Sequence, residues 1–548
     1  DSTISKTGTS GNTILNSGTA TFDNIQFSFS YSYYGRGAFY NITNNTTGNL
    51  TVTGGTYSNG YFIRNYGIAT INDLIDTSSG DDDMYNSGGT LNLNNVDKSN
   101  SSSPVSNNNN GTVNIKGGSY RYYIYNNSGD LNISGTTIRT YYNSSISNSS
   151  KGTVTIENST ITSNGSGVYN NEGTVNLITT SITSTYYSIQ NSSTGTINVT
   201  GESNITSTEN YGIYNYSTGT VNIGEKDGNV STKTPIITGK TYGVYNNNND
   251  SVFNFYDGVI KGETGAIYGK VNDIETSYEI ITKTEDGVES KYLAQLPVAK
   301  IVSTDKEYLT LQEAFDESES GDTIQLLRNI TTLSTSQSTT ILEEKNVILD
   351  LNGYTMNSST PKTFINNGTL KIVDSSEEKQ GNLIGTGVTL IENNNSLNIE
   401  EAKLSTLLTS PQVIDNKGTV IINNSTITAV NTENGAINNE ENAVLKVTDS
   451  TISKTDTTGN TILNSGTATF DNTQFSFSYA YYGRGAFYNI TNNATGNLTV
   501  TGGTYINSNG YFIRNYGIAT INDLVVGSSG GDDDMYNSGG TLNLNNVD

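Results

Sequence analysis

The sharpest cluster of reactive side chains is acidic: Asp81, Asp82 and Asp83 stand in a row, and Asp532, Asp533 and Asp534 repeat it near the other end. Carboxylates gathered in one turn can hold Ca2+, a hard cation that takes oxygen ligands. Their spacing fits neither an EF-hand loop nor a glycine-rich Ca2+ roll. A solvated acidic turn is the competing reading, and the chain is expected to need no cofactor. Tyrosines form a second set of clusters: Tyr31, Tyr33 and Tyr34, then Tyr120, Tyr122 and Tyr123, Tyr141 and Tyr142, and Tyr186 and Tyr187. Aromatic rings aligned along one edge can stack on sugar rings, on another protein or on one another. Histidine is absent, which removes the imidazole base, the imidazole metal ligand and the Ser-His nucleophile. Cysteine is absent as well, and thiolate and disulfide chemistry go with it. Paired carboxylates alone can hydrolyse glycosides, but a chain this polar supplies such pairs by chance, and no enzyme is expected.

These side chains need a scaffold, and a short repeat supplies one. GVYNNEGTVNL (167–177), SIQNSSTGTINV (188–199) and GIYNYSTGTVNI (212–223) are copies of one motif. Aligning its asparagine gives Asn16, Asn41, Asn65, Asn86, Asn107, Asn126, Asn148, Asn170, Asn191 and Asn215, at gaps of 19 to 25 residues. A period near 22 that tolerates small insertions fits a β-solenoid. The expected fold is all-β, a parallel β-helix with three short strands per coil, in which Val168, Val175, Leu177 and Ile182 point inward and Tyr169 and Asn176 outward. Asn and Gly between strands supply left-handed turn positions. Each coil covers the sheet edge of the one before. The aligned asparagines are expected to hydrogen-bond from coil to coil as a ladder. Asn-x-Ser/Thr sequons, as at Asn41, Asn132 and Asn198, read as by-products of composition.

A longer repeat contains the shorter one. Residues 449–548 are a near-copy of residues 1–97 with three extra residues, among them Ile506 and Asn507. A copy this far downstream marks a tandem array, and the chain reads as a window slightly longer than one period. Apolar residues make up 33% and charged residues only 15%. Regular short runs of Val, Ile and Leu argue for a folded repetitive protein over a disordered one. The net charge of −24 argues against nucleic acid as a partner. No run approaches the roughly 20 apolar residues that span a bilayer, so no membrane insertion is expected.

The pattern breaks near Ile267. Residues 271–298 lack the motif and read as a spacer of short strands. Beyond them Thr310-Leu311-Gln312-Glu313 is a capping box, with Leu311, Ala314 and Phe315 on one face and Gly321 as a stop, and it predicts one helix over 310–319. The expected organisation is a β-helix over 1–270, the spacer over 271–298, and a capped β-helix over 299–548 that starts the next unit.

The run YLTLQEAF (308–315), then GDTIQLL (321–327), then VILDLNGYTM (347–356) resembles the opening of pectate-lyase-like right-handed parallel β-helices. GNVSTKTPIITGKTYGVYN (228–246) and FNFYDGVIKG (253–262) are similar to the repetitive adhesin-like surface proteins of gut-type Firmicutes. The first resemblance implies a right-handed coil whose open start is covered by the helix. Enzymes of that family use clustered Asp with Arg, Lys or His, a set that this sequence does not assemble. The second implies an extracellular, cell-surface structural or adhesive protein whose partners are further copies of itself. It leaves glycans or a host receptor on the tyrosine face as the alternative. At ~4.8 Å per coil and about 20 coils per period, one period adds roughly 95 Å of rod.

Overall fold

Each coil is assembled from strands too short to be stable alone. Taking one as the pattern, Val168–Asn170 is the asparagine strand, Thr174–Ile178 the threonine strand and Ser181–Ser184 the closing strand. The pleat turns Val168, Val175, Leu177 and Ile182 into a dry core, where all four are fully buried. Tyr169 and Asn176 sit on the outer side of the same strands. Every strand pairs in parallel with its counterpart one coil on: Val168 with Ile189, Val175 with Ile197, Ile182 with Ile205. Like residues therefore stack on like, and a modest apolar content suffices to line the interior of each coil.

A left-handed residue joins the threonine strand to the closing strand. Asp73 (φ 53°), Asn158 (φ 49°) and Asn424 (φ 46°) fill this place in their coils. Short polar side chains tolerate the left-handed region best after glycine. In one coil the residue is Thr179, at φ 48°.

The computed structural model describes residues 2–7, 11–29, 40–58, 61–77, 84–141, 144–333, 338–360, 362–386, 389–407, 412–430, 435–455, 460–477, 488–507, 511–528 and 535–548. They form two compact units, Asp1–Gln295 and Leu296–Asp548. The first has sheets of 14, 12 and 12 strands and the second sheets of 12, 9 and 9. Together they make about 21 turns at ~23 residues per turn.

The stretch set apart in the sequence as a spacer is divided between the units. Tyr278–Glu285 and Val288–Gln295 form an antiparallel hairpin, and the second of these strands lies antiparallel along Val259–Gly262. The hairpin thus closes one sheet of the first unit and buries Leu293 in its core. A strand added in reverse also ends the parallel pairing that a further coil would continue. In the second unit Ala299–Ile301 lies antiparallel between Lys306–Tyr308 and Thr323–Leu326. The helix spans Leu311–Glu317, shorter than 310–319 at both ends. Its capping box is complete: Glu313 N–H donates to Thr310 Oγ1 and Thr310 N–H to Glu313 Oε2, each at 3.2 Å. The helix buries Leu311, Ala314 and Phe315 on the start of the core, with the Phe315 ring edge-on to Phe364.

Candidate functional site

The asparagine strand carries a continuous amide ladder. In the first unit it runs through Asn16, Asn44, Asn65, Asn86, Asn107, Asn126, Asn148, Asn170, Asn191, Asn215 and Asn246, each Nδ2 donating to the next Oδ1 at 2.8 to 3.0 Å. In the second it runs through Asn366, Asn393, Asn416, Asn439, Asn464, Asn492, Asn515 and Asn537 at 2.7 to 2.8 Å. Most of these amides also donate to backbone carbonyls. Asn170 Nδ2 donates to Gly173 O at 2.9 Å and to Thr196 O at 3.2 Å. This explains the glycine of the motif. A Cβ on Gly173 would lie 2.1 Å from Gly152 O and 2.4 Å from Asn148 Nδ2, the ladder amide of the previous coil.

One rung differs from the sequence alignment. The partner of Asn16 is Asn44, not Asn41. The working pattern is a buried apolar residue, any residue, then Asn, so that pleating puts both ends inward. Ile42-Thr43-Asn44 meets it, whereas Tyr40-Asn41 only imitates the Tyr-Asn pair of other coils. Asn41 is buried nearby and donates to Tyr61 O at 2.7 Å. The near-copy repeats the arrangement, with Asn492 in the ladder and Asn489 buried beside it.

A second series of amides lies on the outer side of the threonine strands. Asn114 donates to Asn92, Asn132 to Asn114, Asn198 to Asn176, Asn222 to Asn198 and Asn254 to Asn222, at 2.7 to 2.9 Å. These bonds run toward the preceding coil, against the direction of the inner ladder. The sequon asparagines are thereby engaged: Asn41 in its buried bond, Asn132 and Asn198 in this series.

The tyrosines divide. Tyr120 leaves the surface cluster, because its strand register aligns it with Lys98 and Ile138 on the inward face, and the ring is buried in the core. Tyr122 and Tyr123 pack against each other with centroids 3.9 Å apart, and Tyr123 meets Tyr125 at 4.6 Å. Tyr141 is 45% exposed under the Arg121 guanidinium, 5.1 Å from its ring. Tyr186 is 53% exposed. Tyr187 opens a longer stack, lying 5.5 Å from Tyr211. Tyr211 then stacks on Tyr245 at 4.4 Å and 9°, and Tyr245 on Tyr268 at 4.3 Å and 5°. The faces of the inner rings are therefore covered by other tyrosines, leaving mainly edges and hydroxyls outward. Burial, and then the neighbouring phenols, raise the pKa of Tyr211, Tyr214 and Tyr245 above the ordinary phenol value. Of this stack the sequence clusters contained only Tyr187. For Tyr245 the signal was the central tyrosine of Val-Tyr-Asn, one coil on from the Ile-Tyr-Asn of Tyr214.

Asp81, Asp82, Asp83, Asp532, Asp533, Asp534, Tyr142 and the cluster Tyr31, Tyr33 and Tyr34 lie outside the described residues. Among the described residues no cluster of acidic side chains is gathered as a metal site.

An open groove of about 470 Å³ was not foreseen. Its floor is the outer amides Asn176, Asn198 and Asn222, and its wall is Glu225, Lys226 and Tyr256. Glu225 and Lys226 belong to the longest interval of the first ladder, 31 residues from Asn215 to Asn246, and Tyr256 comes from the coil that follows. Carboxylates pin the wall. Asp257 accepts from the N–H groups of Ser231 and Thr232 at 2.8 Å, and Glu275 accepts from Asp227 N–H at 2.9 Å. Asp273 accepts from Lys226 Nζ and Tyr256 Oη; those bonds hold its carboxyl below the ordinary aspartate value, against partial desolvation. Insertions that break a solenoid repeat often carry the binding face.

Compared with known proteins, the chain matches no family model, no curated protein and no solved structure.

Proposed function

We propose that the chain is a structural segment of an extracellular, cell-surface tandem-repeat protein, a stiff β-helical element of an adhesin-like rod or fibre whose partners are further copies of itself. The observation that carries this reading is the inner amide ladder, which runs from Asn16 to Asn246 in one unit and from Asn366 to Asn537 in the other and ties successive coils by side-chain bonds. A ladder of this kind gives length and rigidity without demanding any particular outer residue. The near-copy over 449–548 supports it, since repetition serves reach and avidity better than catalysis. The pectate-lyase-like and adhesin-like resemblances belong to this reading, and with no histidine in the sequence it assigns the chain no catalysis. Electron cryotomography of the source cells, with the protein labelled by antibody, tests it. Thin filaments bearing label at regular intervals are expected. Label confined to the cytosol overturns the proposal.

A second reading, carbohydrate binding, is favoured by the groove over Asn176, Asn198 and Asn222, because stacked amides offer both donors and acceptors to hydroxyl groups. Glycan-array binding that is lost on Lys226→Ala places it in the groove. Loss on Tyr186→Ala places it on the tyrosine face instead. An array without signal removes this reading.

A further inference from the structure

The closing strands of the first unit stack isoleucine on isoleucine for several coils, as in Ile138, Ile161, Ile182 and Ile205. Two coils depart from this. Inward positions there hold Asp76 and Lys98, both essentially without solvent exposure, between Tyr57 on one side and Tyr120 on the other. Lys98 Nζ is in contact with Asp76 Oδ2. It also lies 3.2 Å from Ser101 Oγ and 3.4 Å from Ser103 Oγ, two fully buried hydroxyls.

Two opposite charges in a dry core are costly to desolvate, and neutral forms become competitive there. Passing one proton from the ammonium to the carboxylate leaves an amine beside a carboxylic acid. A neutral amine has two N–H bonds and one lone pair. Ser101 and Ser103 can accept the two N–H bonds, which leaves the lone pair available to the carboxyl of Asp76. Tyr120, aligned with Lys98 on the inward face, has its Oη buried without a hydrogen-bond partner. Burial first, and the Asp76 charge second, keep that phenol protonated. Reactants fixed in contact with water excluded react as if at very high concentration.

We propose that Lys98 Nζ and Asp76 Cγ become joined by an isopeptide bond, a covalent clamp between successive coils. The amine adds to Cγ, forming the N–C bond. The C–O bond to the carboxyl hydroxyl then breaks, and that hydroxyl leaves as water with a proton from nitrogen. One water is released, and no oxidant, reductant or cofactor is required. The near-copy provides an internal control: Val526 stacks on Tyr505 as Asp76 stacks on Tyr57, and it has no carboxyl to react.

Intact-mass spectrometry of the purified full chain tests the clamp, followed by fragmentation of its proteolytic peptides. The expected result is a mass one water below that of the sequence and a branched peptide joining Lys98 to Asp76. The double variant Asp76→Val with Lys98→Met, which installs the valine of the near-copy and leaves no buried charge unpaired, is expected at full sequence mass. A wild-type chain at full mass, with Lys98 open to acylation after denaturation, overturns the proposal. So does a water loss that persists in the double variant or maps to other residues. Neither outcome depends on the fibre reading.

Discussion

The two units repeat the same interior pattern, each in its own core, and differ on one outer column. Outward positions of the asparagine strands in the first unit read Tyr125, Ser147, Tyr169, Gln190, Tyr214, Tyr245 and Tyr268. In the second, ahead of the near-copy, they read Ile365, Glu392, Asp415 and Asn438. Beneath both columns runs the same amide ladder with nearly the same bond lengths. Only where the near-copy begins do the columns converge. Arg64 lies over Tyr40 and Tyr85 in one unit, and Arg514 over Tyr488, Tyr516 and Tyr536 in the other. The inner pattern of apolar residue, spacer and Asn fixes the coil, and the spacer residue is free to take aromatic, acidic or amide chemistry.

The strongest way to break this comparison is at the interior pattern that both units repeat. A Cβ on Gly173 meets Gly152 O at 2.1 Å, and one on Gly418 meets Asn395 O at the same distance. Gly173→Ala and Gly418→Ala should each cost about 3 kcal/mol, because backbone must move in both units. Unit-resolved thermal unfolding by hydrogen exchange would measure it, and a large loss in one unit alone would separate the interiors.

The two units also predict opposite pH limits. Raised phenols fall mostly in the first unit: Tyr120, Tyr211, Tyr214, Tyr245, Tyr256 and Tyr278, against Tyr308 in the second. Below the ordinary phenol value both folded and unfolded chains are protonated. Above it the unfolded chain ionises first, so stability drains from the first unit as pH rises toward the folded values. In the second unit burial opposes ionisation of Glu392 and Asp374. Lys362 and Lys417 beside Glu392, and the Ser376, Gly381 and Gly353 donors around Asp374, outweigh it and hold both below their ordinary values. Their contribution is present at neutral pH and is lost as pH falls through the carboxylate range into the folded values. Limited proteolysis across pH should cut the first unit earlier in alkali and the second earlier in acid.

The smallest effect tests the turn. Thr179 is a β-branched residue in a left-handed position that asparagine fills in the coil before it. Thr179→Asn should stabilise the first unit by about 0.5 kcal/mol, read as a raised unfolding midpoint with the second unit unmoved.

Much of this was legible because it is local. Alternating residues gave the inward faces of Val168, Val175 and Ile182, and the capping box at Thr310 gave the helix within a few residues. What escaped depends on register between coils of unequal length. Asn44 was hidden by the Tyr-Asn pair at residues 40–41, because only pleat direction separates them. Tyr120 sits among surface tyrosines in sequence, yet its alignment with Ile138 turns it inward. The pairing of Tyr214 with Tyr245 spans 31 residues, and an inserted segment carrying Glu225 and Lys226 lies between. The buried Asp76–Lys98 pair joins residues 22 apart that no motif links.

The central claim is that the inner ladder ties each coil to its neighbours whatever stands outside it. The most direct measurement is amide hydrogen exchange on the full chain carrying Asn170→Ala, and separately Asn416→Ala. Each change leaves buried amide groups of adjacent coils unpaired and should cost about 2 kcal/mol. The account predicts equal loss of protection, centred on the altered coil and its two neighbours, in both units. A loss confined to one unit, or no loss in either, would contradict it.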